Sequence, residues 1–268
     1  MKYALFTGAG GGLGSACVRQ LTAAGWTVFA ADISSAVPAA DLATPSTIPL
    51  ILDVTNQVSI DDAVATVRQT TDKLDAVINF AGLHTMGSLV EGDVVATMQK
   101  MIDVNLMGML RVNRAFFEML LGGGRIINCS SECGYMKAQP FNGLYTITKY
   151  AVEAYTDSLR RELLGLGIKV IKIQPGSFNT HLLVDAQSGF DNLISTTQYH
   201  KRMLKRMQPL MARELSSAND PEYVAKAVLE AAQKRRPKIN YRVKNSKLMG
   251  VMELIPDSWL DVVYKALS

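Results

Sequence analysis

Short β-rich runs alternate with longer helical stretches along most of the chain, and no other feature limits the fold so strongly. The runs are Tyr3–Thr7, Thr27–Ala31, Leu50–Asp53, Ala76–Phe80, Arg125–Cys129 and Lys169–Gln174. Apolar residues recur at helical spacing near 13–25, 57–72, 91–121, 144–165 and 221–234. Strands and helices in this alternation close through right-handed crossovers into a parallel sheet with helices on both faces. The expected fold is therefore α/β, a doubly wound parallel sheet of about seven strands. Ser34–Pro49, with three prolines, predicts a loop or one short turn instead of a crossover helix.

After Pro175 the alternation lapses. Residues 181–215 predict one or two helices, with Met203, Met207 and Met211 at i, i+4 and i+8. Ile239–Val243 predicts a last strand. The tail 246–267 predicts a helical extension whose apolar stripe is Leu248, Met252, Ile255, Trp259 and Val263. No linker divides the chain, so residues 1–268 are expected to form one domain.

Composition removes several classes. The apolar runs fall well short of the roughly 18 residues that a membrane helix needs. Met1-Lys2 opens onto an apolar stretch that meets glycines and not a cleavage site, so no leader is expected and a cytoplasmic location is. Cys17, Cys129 and Cys133 offer neither a disulfide framework nor a Cys-x-x-Cys pair. Two neighbouring thiols do not make a zinc site, so no metal is expected. Residues 198–247 hold 13 Lys/Arg against 4 Asp/Glu. Such a surplus suits solvated helix faces, an anionic substrate or a membrane surface. Nucleic acid is not expected, because no aromatic-studded basic strand or recognition helix accompanies the charge.

The first strand runs into Gly8-Ala9-Gly10-Gly11-Gly12-Leu13-Gly14, and a helix follows. Glycines allow a tight turn and a close backbone approach to a pyrophosphate, which the helix N-terminus then stabilises. The literal G-x-G-x-x-G spacing is absent; the pattern is Gly8-x3-Gly12-x-Gly14. Asp32 ends the second strand. A carboxylate there accepts hydrogen bonds from a ribose diol and repels a 2′-phosphate, which predicts NAD over NADP.

Thr7-Gly8-x3-Gly12-x-Gly14, Asn79-Phe80-Ala81-Gly82, Asn105, Ser131, Tyr145-x3-Lys149 and Pro175-Gly176 together resemble the short-chain dehydrogenase/reductase superfamily. The resemblance covers about residues 1–180 in the expected order. Phe80 departs from the usual Asn-Asn-Ala-Gly, and the Ser131 to Tyr145 interval is one residue longer than the commonest spacing. Ser131, three residues before Gly134, fits the pattern better than Ser130. The resemblance implies a Rossmann-type fold and a catalytic group of Asn105, Ser131, Tyr145 and Lys149, with Asn105 holding a proton-relay water. It further implies cofactor contacts at Gly8, Gly12, Leu13, Gly14, Asp32, Ile33, Asp53, Val54, Asn79, Ala81, Gly82, Tyr145, Lys149, Pro175, Gly176, Phe178 and Thr180. Asp53 and Val54 would form the adenine pocket. Asn79, Ala81 and Gly82 would line the adenosine side and steady the sheet. Phe178 and Thr180 would hold the carboxamide.

The chemistry also follows from the residues. Hydride exchange at a carbonyl carbon needs a proton donor or acceptor at its oxygen. Tyr145 and Lys149, one helical turn apart, share a face. An ordinary phenol, with a pKa near 10, is a poor base at neutral pH. A Lys⁺ at ~4 Å is worth roughly 4 kcal/mol at an effective dielectric of about 20, and an oxidised nicotinamide adds a second positive charge, so the two together are expected to bring the phenol close to working pH. Ser131 would hydrogen-bond the substrate oxygen. Among the histidines, His84 and His181 fall where a substrate pocket could be bordered. No His-Glu-x-x-His or Gly-x-Ser-x-Gly motif offers a rival chemistry.

Pro140-Phe141-x3-Tyr145, Glu153-Ala154-Tyr155-x3-Leu159-Arg160-Arg161-Glu162-Leu163 and the tail after Ile239 resemble the hydroxysteroid and retinol dehydrogenase branch. The expected activity is NAD-dependent interconversion of a secondary alcohol and a ketone on a hydrophobic substrate such as a hydroxysteroid or bile acid. Reduction of 3-oxoacyl or other small carbonyl substrates is the alternative. From another class, an NAD-binding redox sensor without turnover remains, although such a protein would be expected to lose the Tyr145/Lys149 pair. A homodimer or homotetramer is expected from the outer faces of 91–121 and 144–165. Residues 181–215 are expected to form a substrate lid, with the methionine stripe on the substrate and Lys201, Arg202, Lys205 and Arg206 facing elsewhere, free to meet an acidic substrate tail.

Overall fold

The computed structural model describes residues 1–33, 44–216 and 218–268. Its strands are β1 (Lys2–Thr7), β2 (Trp26–Asp32), β3 (Thr47–Ile51), β4 (Ala76–Asn79), β5 (Arg125–Cys129), β6 (Lys169–Pro175) and β7 (Asn240–Val243). They form a parallel sheet in the order β3-β2-β1-β4-β5-β6-β7. The sequence placed every one of these strands. The third starts three residues earlier and ends two earlier than expected, which leaves Asp53 in the turn beyond it. Most of Ser34–Pro49, expected as a loop, lies outside the described residues.

The strands alternate their side chains between two cores, as a sheet covered on both faces requires. Ala4 and Phe6 of β1 join α1 (Gly12–Ala23) and the later helix Glu222–Gln233 on one face. Leu5 of β1 faces α2 (Gln57–Arg68) and Phe116 on the other. Helix α2 starts where the Asn56 side chain accepts from the amides of Val58 and Ser59.

The stretch 91–121, read as one long helix, is divided. It contains α3 (Val94–Ile102), a π-helical turn Asp103–Gly108, α4 (Met109–Ala115) and a 3-10 turn Glu118–Leu120. The widened turn swings Asn105 inward, where Leu83 and Thr148 satisfy its amide. Such a local widening leaves the apolar periodicity nearly intact, which is why the pattern concealed it. α5 (Gly143–Glu162) follows and carries Tyr145 and Lys149.

Beyond β6 the chain forms α6 (His181–Thr196), α7 (Lys201–Ser216), α8 (Glu222–Gln233), α9 (Lys247–Met252) and α10 (Asp257–Leu267). Met203 and Met207 pack with Phe190, Leu193 and Leu204 in a satellite core between α6 and α7. Pro256 divides the tail into two helices, and α10 turns Tyr264 and Leu267 toward that core. The expected tail stripe is thus mostly the outer one: Leu248, Trp259 and Val263 are exposed and Met252 and Ile255 half-buried, while Leu260 is buried. Amphipathic spacing finds a helix but does not say which of two apolar stripes meets the core. None of the helices among the described residues is long and apolar enough to cross a membrane.

Candidate active site

The carboxyl ends of β1, β2, β4, β5 and β6 open onto a cleft of about 840 Å³. Its position is the one expected for a ligand in an open parallel sheet, beside the point where strand order reverses. At one end lies the glycine turn. Gly8 has φ +73°, and a Cβ on Gly14 would sit 2.0 Å from the Gly8 carbonyl oxygen, so this turn closes only with glycine at both positions. No side chain caps the first amides of α1, which leaves them directed at an incoming anion. Thr7 holds the turn against β4, its hydroxyl accepting from the amides of Phe80 and Ala81 at 3.3 Å each.

Asp32 stands beside the turn with both oxygens oriented. One accepts from the Gly10 amide at 2.8 Å, the other from the Ile33 amide at 2.8 Å. Asp53 is fixed by the amide and hydroxyl of Thr55 at 2.8 and 2.7 Å, with Val54 next to it on the wall. Pro175, Gly176, Phe178 and Thr180 form the opposite wall. A Cβ on Gly12 would lie 2.9 Å from Thr180 Cγ2, so the turn and this wall already touch.

Ser131, Tyr145 and Lys149 meet at the other end. Ser131 Oγ accepts from the Cys133 amide at 3.2 Å. Ser130, its neighbour, is turned into the packing beside Gly134 with its hydroxyl buried and unpartnered. Both serines border the cleft, and they differ in that only the Ser131 hydroxyl has a hydrogen-bond partner. Lys149 Nζ donates to the Cys129 carbonyl at 3.0 Å and lies 5.5 Å from the Tyr145 ring centre.

Burial pushes the Tyr145 phenol well above its usual value, and the thiols of Cys133 and Cys129 add to the shift, while Ser131 opposes it. Burial also lowers Lys149. Lys149 alone therefore does not draw the phenol down, because desolvation outweighs a charge held at this distance. The phenol is therefore protonated in this state of the cleft.

His84 adds a contact that sequence reading did not find. Its ring stacks on Tyr145 with centroids 4.0 Å apart, and its Nε2 meets Asn142 Oδ1 at 2.9 Å. Asn142 Nδ2 donates to Cys133 Sγ at 3.4 Å. Burial brings the imidazole down to about 4, so it is neutral at physiological pH. His181 also borders the cleft.

Most of the predicted site residues line this one cleft: Gly8, Gly12, Leu13, Gly14, Asp32, Ile33, Asp53, Val54, Ala81, Gly82, Ser131, Tyr145, Lys149, Pro175, Gly176, Phe178 and Thr180. Asn79 and Asn105 lie behind the wall. Asn79 donates to Asn113 and Asn128 at 2.8 and 2.9 Å, so it braces strand ends and is not among the residues lining the cleft. Asn105 spends its side chain on the Leu83 backbone and Thr148 Oγ1. Thr148 is a support the sequence reading missed, since nothing marks a lone threonine; Thr7 opened the glycine motif but was given no role of its own there.

The lid residues are also corrected. Met203 and Met207 face the satellite core and not the cleft, and the α6 residues His181, Leu182, Leu183 and Asp185 border it instead. Lys201, Arg202 and Lys205 are exposed and away from the cleft. Arg206 caps the tail by donating to the Ala266 carbonyl at 2.7 Å.

A family model described as short chain dehydrogenase matches residues 2–189. An NADPH-dependent 3-dehydrocapnine reductase from Ornithobacterium rhinotracheale is 30% identical, covering 98% of this chain and 96% of its own. Retinol dehydrogenase 16 from Mus musculus is 34% identical, covering 82% of this chain and 75% of its own. A short chain dehydrogenase/reductase from Burkholderia phymatum, solved in complex with NAD, has the same fold, with a TM-score of 0.78 at 22% identity over 97% of this chain and 94% of that one. The chain belongs to the short-chain dehydrogenase family, oxidoreductases that act on CH–OH groups with a nicotinamide cofactor.

Proposed function

We propose that this chain interconverts a hydrophobic secondary alcohol and its ketone with NAD(H) in preference to NADP(H). The observation behind this reading is the meeting of Ser131, Tyr145 and Lys149 in the cleft whose far end holds Asp32 and the glycine turn. The residues fit the cofactor: glycines leave the turn open to a pyrophosphate, and Asp32 presents a carboxylate fixed by two amides. When bound, the nicotinamide supplies or accepts the hydride.

The remaining work belongs to the chain. Ser131 orients the substrate oxygen. Tyr145 gives that oxygen its proton in reduction and takes it back in oxidation. Lys149, held by the Cys129 carbonyl, stabilises the phenolate that oxidation requires, with a cationic ring bound nearby as a second positive charge. Asn105, fixed in the π-helical turn behind Lys149, positions the relay. Leu83, Leu182 and Leu183 give the substrate end an apolar lining that suits a lipid-sized molecule such as a hydroxysteroid.

The cofactor preference rests on charge. Ile33 follows Asp32, and Ser34–Ala43 contains no Lys or Arg to neutralise a 2′-phosphate. The reductase from Ornithobacterium is NADPH-dependent, so the relatives do not carry this preference by themselves. We also place residues 181–215 as a lid within a single domain 1–268, in a homodimer formed through the outer faces of α3, α4 and α5. The test is NADH consumption with long-chain ketones and ketosteroids. Turnover supports the reading; binding of NADH without turnover across the panel would favour a sensor.

A further inference from the structure

The substrate end of the cleft holds two acceptors that the reaction does not use. The first is His84 Nδ1. Asn142 directs its Nδ2 at Cys133 Sγ, so it presents Oδ1 to His84, and His84 Nε2 carries the proton that donates to it. The other ring nitrogen, Nδ1, is then a bare acceptor. It makes no hydrogen bond and is not sealed off among the described residues, on a side chain that lines the cleft. The second is the Asp185 carboxylate on the first turns of α6. It lines the same cleft, its charge acts on the His84 ring, and no ion pair occupies it among the described residues. Glu132 is a second carboxylate at this end, engaged by the Ser246 amide, which donates to one of its oxygens at 2.6 Å.

From this arrangement we propose that His84 and Asp185 form a subsite for a hydrogen-bond-donating, cationic substituent, an ammonium group carried on the carbon next to the reacting carbon. The inference rests on the oxidoreductase reading above and adds a substrate class to it. The stacking on Tyr145 sets the location: a group that reaches His84 must be attached close to the oxygen that meets the phenol. The neutral state sets the sign, since a protonated imidazole would offer donors and repel a cation, whereas burial keeps this ring an acceptor at physiological pH. Asp185 then distinguishes ammonium from hydroxyl. Both groups donate to Nδ1, but only the ammonium gains from the carboxylate, and an anionic substituent is repelled by it. Lys149 is the opposing charge: it acts on the same ring more strongly than Asp185 does, so the ammonium must be met by the carboxylate directly, while Lys149 Nζ donates to the Cys129 carbonyl.

The experiment compares three ketones of equal chain length with NADH: one bearing an α-ammonium, one an α-hydroxyl, one neither. Wild-type protein should show kcat/KM at least tenfold higher for the ammonium ketone than for the unsubstituted one, with the hydroxy ketone between them, as loss of a hydrogen bond to a charged group implies. His84→Phe should bring both ratios toward one. His84→Gln, which retains an acceptor, should keep part of them. Asp185→Asn, at an exposed position that tolerates polar change, should bring the ammonium ketone down to the hydroxy ketone and so tests the subsite even if His84→Phe does not fold. Equal wild-type kcat/KM for the three ketones, or ratios that survive both His84→Phe and Asp185→Asn, would overturn the subsite while leaving the oxidoreductase reading intact. Failure to reduce any of the three would strike at that reading itself.

Discussion

The imidazole of His84 lies against the phenol ring of Tyr145, with centroids 4.0 Å apart and planes 29° from parallel. The contact joins the loop after β4 to the first turns of α5, so the residue expected to move the proton is clamped from the strand side. It also makes the stability of the protein depend on a histidine that folds in its neutral form.

A pH dependence follows. His84 titrates at about 4 in the folded chain and near 6.5 when unfolded. Its contribution to stability is complete above pH 6.5 and declines as the pH falls toward 4, because the unfolded chain takes up a proton that the folded chain refuses. The loss amounts to about 3 kcal/mol by pH 4. Urea unfolding at pH 7, 5 and 4 should show His84→Gln losing less stability than wild type by about that amount. Parallel curves for the two proteins would place the burial of His84 elsewhere than described.

Asp32 sets the second expectation. Wild type should favour NADH over NADPH in kcat/KM, and Asp32→Ala should narrow the gap by removing the charge that faces a 2′-phosphate. A wild-type preference for NADPH would mean that a cation reaches the phosphate, and Lys100, on the cleft wall near Asp103, is the one to replace first.

The outer faces of α3 to α5 carry the third. Val95, Ile147 and Tyr150 on these helices and Met107 on the π-helical turn between α3 and α4 are exposed apolar side chains. Light scattering should give a mass twice the 29.2 kDa of one chain, and Ile147→Asp should lower it to that of the monomer. A monomeric wild type at micromolar concentration would remove this interface.

Sequence made the sheet legible because its runs are short, rich in β-branched and other apolar residues and separated by helical patterns, and the glycine turn with Asp32 pointed to its ligand-binding edge. Ser131, Tyr145 and Lys149 stood out for a different reason, as motif residues at fixed spacing, and they fall together in one cleft. What escaped was set by tertiary contact. The π-helical turn at Asp103–Gly108 leaves no mark in apolar spacing, yet it decides where Asn105 points. The Met203/Met207 stripe gave a helix face but not its partner, which proved to be Phe190 and Leu193. The state of the Tyr145 phenol depends on how completely it is buried, a quantity that the distance along a helix to Lys149 does not contain.

The central claim is that Tyr145 exchanges the proton, and a pH profile of wild type beside Tyr145→Phe tests it most directly. Because burial holds the phenol above its ordinary pKa, ketone reduction with NADH should have a kcat/KM that stays level from pH 6 to 9, whereas alcohol oxidation should rise with pH. Tyr145→Phe should lower turnover in both directions by at least ~10²-fold, with NADH affinity measured by fluorescence titration little changed. Near-normal turnover in Tyr145→Phe would contradict the account and leave the proton to another group in the cleft.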